Sequence, residues 1–125
     1  MAVTPPRYDG LPPIWRFVFE KGSFLHVSMS KFRGDLDDLP GTARMAGESM
    51  LAWLKQIDGY RGLLALVDEG SGTAYFVTFW EDAEAVEKSR TSRASLRSQM
   101  AATAGAEVVG IEEFTVAYAD GDLGA

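Results

Sequence analysis

Two apolar runs, Leu63–Val67 and Ala74–Trp80, flank the polar turn Asp68-Glu69-Gly70-Ser71-Gly72, a pattern that predicts a β-hairpin. Upstream, Phe24–Phe32 alternates. Leu25, Val27 and Met29 fall on one face, while Phe24, His26, Ser28 and Ser30 fall on the other, as in a strand. Gly34–Gly41, rich in Asp with one Pro, reads as a loop. From Thr42, the positions Ala43, Ala46, Met50, Trp53, Leu54 and Ile57 recur at steps of three and four, which predicts an amphipathic helix. Thr42 suits its N-cap, and Asp58-Gly59 supplies a glycine stop. After the hairpin, Asp82 caps a second helix supported by Glu84 and Lys88 and running to about Thr103, with Gly105 as its stop. Its apolar stripe (Ala83, Val86, Leu96, Met100) is thin, so a shallow, partly open packing face is expected. Glu107–Tyr118 reads as the last strand.

Ahead of this pattern, MAVTPPRYDGLPP carries four of the five prolines and reads as an extended, poorly ordered arm. Ile14–Glu20 then alternates, with Trp15, Phe17 and Phe19 on one side, which predicts a short strand reaching to a partner's sheet edge. The organisation expected is therefore an arm with a short strand over 1–22, one domain over 23–119 and a tail over 120–125. The order βαββαβ implies an α+β, ferredoxin-like fold: a four-stranded antiparallel sheet with two helices on one face. A water-facing sheet surface should alternate between apolar and polar. Leu63–Val67 and Tyr75–Trp80 run apolar with only Thr78 polar, so both faces are expected to be covered, one by helices and one by a second copy. At about 25 cal/mol per Å² of apolar burial, such a face favours an obligate homodimer.

Composition narrows the chemistry. With no cysteine, disulfides, thiolate metal sites and a cysteine nucleophile are excluded, and one histidine rules out a multi-histidine metal site in one subunit. A net charge of −6 argues against a nucleic-acid partner. No apolar run approaches the roughly 18 residues of a membrane span, and no basic-then-apolar leader opens the chain, so a cytoplasmic location is the expectation. Gly59-x-x-Gly62 and Gly70-x-Gly72 are turn glycines without nucleotide-binding spacing. No hydrolytic triad can be assembled around the one histidine from sequence.

Gly59-Tyr60-Arg61-Gly62 opening a strand, the Asp-x-x-Ser-Gly hairpin, and Phe79-Trp80-Glu81-Asp82-Ala83-Glu84-Ala85 together resemble the antibiotic biosynthesis monooxygenase-like proteins of the dimeric α/β-barrel superfamily. The likeness spans Phe24 to Ala119. It implies a homodimer whose sheets form a barrel, with a pocket for a small apolar or aromatic molecule between sheet and helices. It also implies oxidation of aromatic or quinone-like metabolites by oxygen with neither metal nor flavin. Isomerase or decarboxylase chemistry also occurs on the superfold, and a non-catalytic ligand-binding or structural dimer is the alternative. A haem-degrading branch uses an Asn, a Trp and a His at positions that fall here near Ser28, Ser89 and Gln99. None matches, so haem degradation is not expected.

His26 is the only side chain with an ordinary pKa near neutrality and is the candidate catalytic base for a phenol or quinol. Its bland role is a hydrogen-bonded histidine in the core or dimer contact. The substrate-binding candidates are Ser28 on the same strand face, Tyr75 as a hydrogen-bond donor, Trp80 as a stacking platform, and Trp53 and Met50 as apolar wall. Trp80, Trp53 and Met50 also suit plain core roles. Arg90, Arg93 and Arg97 recur at steps of three and four, a basic line that could receive a carboxylate or enolate, though a solvated face paired with Glu87 or Glu107 is the preferred reading.

Overall fold

The computed structural model of the chain describes residues 25–34 and 37–118. The arm and Ile14–Glu20 strand expected near the N-terminus lie outside these, as does the tail. Six elements follow one another: β1 (His26–Arg33), α1 (Leu39–Leu54), β2 (Tyr60–Asp68), β3 (Thr73–Trp80), α2 (Ala83–Ala104) and β4 (Glu107–Thr115). The sheet is antiparallel with strand order β2-β3-β1-β4, the ferredoxin-like arrangement that the βαββαβ pattern predicts. Among the described residues, no helix is long and apolar enough to cross a membrane.

Cross-strand register assigns every side chain to a face. Pairing puts Tyr60, Trp80, His26 and Thr115 in one row. The next rows on that face are Leu63, Thr78, Ser28 and Glu113, then Ala65, Phe76, Ser30 and Ile111. This is the helix-covered face, where Phe32, Phe76, Trp80, Leu54, Met50, Val86 and Leu96 belong to one core cluster. The opposite face carries Phe79, Val27 and Phe114 in one row and Leu64, Val77, Met29 and Glu112 in the next. Each edge strand takes one extra residue where its register shifts, Arg61 in β2 and Val109 in β4.

The helices differ from expectation at instructive points. α1 starts at Leu39, not Thr42, because the Asp38 carboxylate accepts from Gly41 N at 3.1 Å while Pro40 occupies the first turn, where its missing N–H costs nothing. Part of the stretch read as loop is thus helix. α1 also ends at Leu54, before the Asp58-Gly59 stop. Its buried stripe is Leu39, Ala43, Gly47, Met50 and Leu54, with Gly47 facing Leu63 and Phe76. α2 matches expectation at both ends: Asp82 accepts from Ala85 N at 2.8 Å, and Gly105 closes it in the left-handed conformation, φ 68°. Glu84 and Lys88 pair at 2.8 Å. Its buried face is Ala85, Val86, Ser89, Arg93, Leu96 and Ala101, so the stripe runs through a serine and an arginine, and Ala83 is exposed.

The α1–β2 loop depends on Gly59. Its φ is 86°, and any Cβ there would collide with that of Ala85 at the start of α2. Its carbonyl accepts from Glu81 N at 2.8 Å, tying the loop to the end of β3. Gly59→Ala is expected to destabilise the fold by at least about 1–3 kcal/mol, through positive-φ strain and the clash, read as a lower urea midpoint at unchanged slope.

Candidate functional site

The helix-facing side of β1 presents His26, Ser28 and Ser30 in sequence, and α2 answers with arginines. Arg93 is 5% exposed. Its Nη1 donates to Ser28 Oγ at 2.7 Å, Nε to Ser89 Oγ at 2.8 Å and Nη2 to the Val86 carbonyl at 2.8 Å. The same guanidinium lies 3.6 Å from Glu113 and 5.5 Å from the Trp80 ring centroid. Burial lowers its pKa, with neighbouring Arg97 and Arg90 acting in the same direction and Glu113 opposing them. The group remains charged at neutral pH, so its burial is tolerated through those hydrogen bonds. Arg97 is half-buried, and its Nε donates to Ser30 Oγ at 2.9 Å. Arg90 is outermost and bridges Glu87 at 3.0 Å and Glu113 at 3.2 Å. The arginine line is therefore not a solvated face. The Glu87 partner is as expected, whereas Glu113 takes the place foreseen for Glu107.

Of the candidate residues, the structure brings four to one face. Ser28, Trp80 and Met50 pack in the layer between sheet and helices, and His26 stands at its end in the row of Trp80. Trp80 is fully buried, its Nε1 donating to Thr78 Oγ1 at 2.8 Å, while Thr78 in turn donates to the Ser28 carbonyl at 3.3 Å. Its ring meets Tyr60 edge-on at 6.0 Å between centroids. His26 Nδ1 lies 3.4 Å from Thr115 Oγ1.

Two candidates fall elsewhere. Tyr75 alternates with Phe76 and so points to the opposite sheet face, where Lys31 sits over its ring at 5.7 Å; it cannot contribute to a site containing Ser28 and Trp80. Trp53 is 55% exposed, because the buried stripe of α1 passes through Met50 and Leu54 and leaves position 53 on the flank. Met45 is exposed beside it.

The space available is narrow. A cavity of about 20 Å³ lies among Ser28, Ser30, Met50, Phe76, Arg93 and Arg97, and another of about 30 Å³ among Phe32, Leu39, Ala43, Phe76 and Met100. Neither exceeds roughly the volume of one water molecule. A groove of about 420 Å³ runs outside, between α1 and α2, past Met45, Trp53, Leu96 and Met100. Leu96 borders both the inner polar cavity and this groove, and Met100 borders the apolar one and the groove. The thin stripe of α2 thus yields the partly open packing face expected. Among the described residues, no group of three His, Cys, Asp or Glu side chains converges as metal ligands.

This architecture recurs in solved structures. A candidate antibiotic biosynthesis monooxygenase from Deinococcus radiodurans superposes with a TM-score of 0.57 at 13% identity, over 79% of this chain and 99% of that one. The fold is that of the antibiotic biosynthesis monooxygenase group. SnoaB, a cofactor-independent oxygenase from Streptomyces nogalater, gives a TM-score of 0.51 at 11% identity, covering 82% of this chain and 100% of that one. A candidate monooxygenase from Chloroflexus aurantiacus gives 0.50 at 15% identity, over 78% and 98% of the two chains. At such identities the likeness is one of fold. No family model and no curated protein matches the sequence.

Sequence reasoning missed Arg93 and Arg97 as members of this layer. The available signal was the coincidence of two helix-facing serines with a helix stripe lacking large apolar residues between Val86 and Leu96. Arg93→Ala is expected to cost about 3 kcal/mol, because it leaves Ser28, Ser89 and the Val86 carbonyl without their donor, whereas Ser28→Ala costs about 1 kcal/mol. Chemical denaturation of the two variants against the parent checks the order.

Proposed function

We propose that the protein is a cytoplasmic homodimer that binds a small aromatic or quinone-like molecule between its helical layer and its sheet. We further propose that it oxidises this molecule with molecular oxygen, without a metal or flavin. The observation that carries the reading is the file of His26, Ser28 and Ser30 along the helix-facing side of β1, in which Ser28 and Ser30 line the cavity walled by Met50, Leu54, Phe76 and Leu96 and His26 stands beyond its end beside Thr115. It combines a titratable group, hydroxyls and a dry wall, in a fold shared with a cofactor-independent oxygenase.

In this reading His26 is the base. In the tautomer this role requires, Nδ1–H donates to Thr115 Oγ1 and Nε2 is left to accept a proton from a substrate C–H or O–H. The resulting anion is electron-rich and reduces oxygen. A C–O bond forms, the O–O bond then breaks with loss of water, and a carbonyl remains on the substrate. Exclusion of water by the apolar wall protects the anion from reprotonation. Admission of a ligand requires Leu96 and Met100 to swing aside, because the cavities as they stand hold about one water molecule.

A second reading, the non-catalytic ligand-binding or structural dimer, draws support from one specific observation. The Ser28 hydroxyl is already held by Arg93, so part of the polar floor serves packing. Oxygen consumption separates the two. Protein supplied with reduced quinols is expected to take up oxygen, and His26→Ala to abolish uptake while the fold persists. Unchanged uptake removes His26 from the mechanism, and no uptake by the parent leaves the non-catalytic dimer.

Support for the proposed dimer comes from apolar side chains exposed on the sheet face away from the helices. Leu64 is 40%, Leu66 48% and Phe114 47% exposed in the single chain, and register places them with Val77, Met29 and Val27 on the side away from the helices. Exposed apolar side chains of this kind support an interface, and isologous pairing of two copies is its simplest cover. Sedimentation is expected to show two subunits at micromolar concentration. Leu66→Glu, which sets a carboxylate among the exposed apolar side chains of that face, is expected to give monomers or to weaken association by about a hundredfold or more.

A further inference from the structure

Of the three arginines along α2, Arg97 alone makes no ion pair among the described residues. Arg90 is matched by Glu87 and Glu113, and Arg93 by Glu113. Arg97 holds one polar contact, Nε to Ser30 Oγ at 2.9 Å, which fixes the plane of its guanidinium. With Nε engaged, the two Nη groups are left as an end-on pair of parallel donors. That spacing matches the two oxygens of a carboxylate, which a lone ammonium or hydroxyl would not discriminate in the same way. The group is half-buried, and removal from water lowers its pKa while Glu113 acts to raise it. It stays cationic at neutral pH, so a partly desolvated charge lines the cavity with no ion pair of its own among the described residues.

The remaining lining sharpens the chemistry. Around Arg97 the cavity is walled by Met50, Leu54, Phe76 and Leu96, with the Ser28 hydroxyl already taken by Arg93. The other polar groups of the lining, Ser28, Ser30, Thr78 and Arg93, are engaged with one another or with the backbone, so the strong recognition element left for a ligand is the cation of Arg97. We propose that Arg97 is the specificity-determining residue of this pocket and that it receives the carboxylate of a planar, otherwise apolar acid. The proposal rests on the preceding reading of the helix–sheet layer as a ligand site. The route in lies between the helices: Leu96 separates the Arg97 cavity from the outer groove of about 420 Å³, a volume within the range of small-molecule sites. Arg93 is not interchangeable with Arg97 in this role, since all three of its nitrogens already donate within the fold.

The test uses two flat probes of equal shape, 2-naphthoate and the uncharged naphthalene-2-carboxamide, titrated calorimetrically into the full-length protein at neutral pH. The parent is expected to bind the acid about tenfold or more tightly than the amide, the difference one bidentate charged pair supplies. R97Q is expected to erase that preference while binding the amide as the parent does. R97K, which keeps the charge and loses the fork, is expected to retain only part of it. S30A, which releases the Nε anchor without removing the cation, is expected to weaken acid binding less than R97Q does. It also serves in place of R97Q if that variant does not fold. R90Q, at the exposed end of the line, is expected to leave the preference intact. Equal binding of acid and amide by the parent, or a preference that survives R97Q, overturns the assignment to Arg97 and leaves the pocket standing. If the parent binds neither probe, the pocket falls as well.

Discussion

The burial of one guanidinium, that of Arg93, organises the layer between helix and sheet. A charge at this depth is tolerated when its nitrogens are hydrogen-bonded, and here Nε, Nη1 and Nη2 each donate, to Ser89, Ser28 and the Val86 carbonyl, with Glu113 nearby. Those partners belong to α2, β1 and β4, so the three are locked in one relative position by directional bonds. Apolar packing would allow them to slide. The Trp80 ring beneath the cation adds β3 to the set. A helix whose buried face includes Ser89 and Arg93 could not otherwise dock on a sheet. The polar register of Ser28, Thr78 and Trp80 Nε1 exists on the sheet side of the same contact.

That solution has a consequence for the rest of the layer. Because α2 spends part of its face on a polar network, it contributes few large side chains toward α1. The space between the helices is left as a groove past Met45, Trp53 and Met100. The apolar core is correspondingly displaced toward α1 and β3, where Met50, Leu54, Phe76 and Phe32 meet, the two phenyl rings edge to face at 5.4 Å. The candidate site lies where these two regimes join. On one side of it are hydroxyls and cations, on the other a close-packed wall, and the thin partition toward solvent is made by Leu96 and Met100. On the opposite sheet face Val27 and Phe79 are buried, whereas Leu64, Leu66 and Phe114 are exposed in the single chain and support the case for a second copy.

Strand and helix identities were legible because period is a local property. The alternation of Leu25, Val27 and Met29 against His26, Ser28 and Ser30 survives in the sheet, and so do the Asp82 cap and the Gly105 stop. α1 starts at Leu39 and not after Thr42 because Asp38 caps it and Pro40 suits the first turn, features that the apolar periodicity beginning at Ala43 does not register. Site membership was harder. Trp53 and Met50 share a helical stripe at the resolution of a periodicity argument, yet the rotation of α1 on the sheet buries one and exposes the other. Tyr75 was separable from Ser28 only through the pairing of β3 with β1, since parity along one strand does not carry over to another until register is known.

Local patterning by itself determined the βαββαβ order, the hairpin, the ends of the second helix and the exclusion of thiolate and multi-histidine chemistry. These depend on neighbours in the chain or on residue counts. Tertiary structure alone decided that an arginine line with every appearance of a solvated surface turns inward, with Arg93 donating to Ser28 and Arg97 to Ser30 across more than sixty intervening positions. The reason is physical. Whether a cation is buried is set by the partners that the fold delivers to it, and those serines become visible as partners only once β1 lies beneath α2.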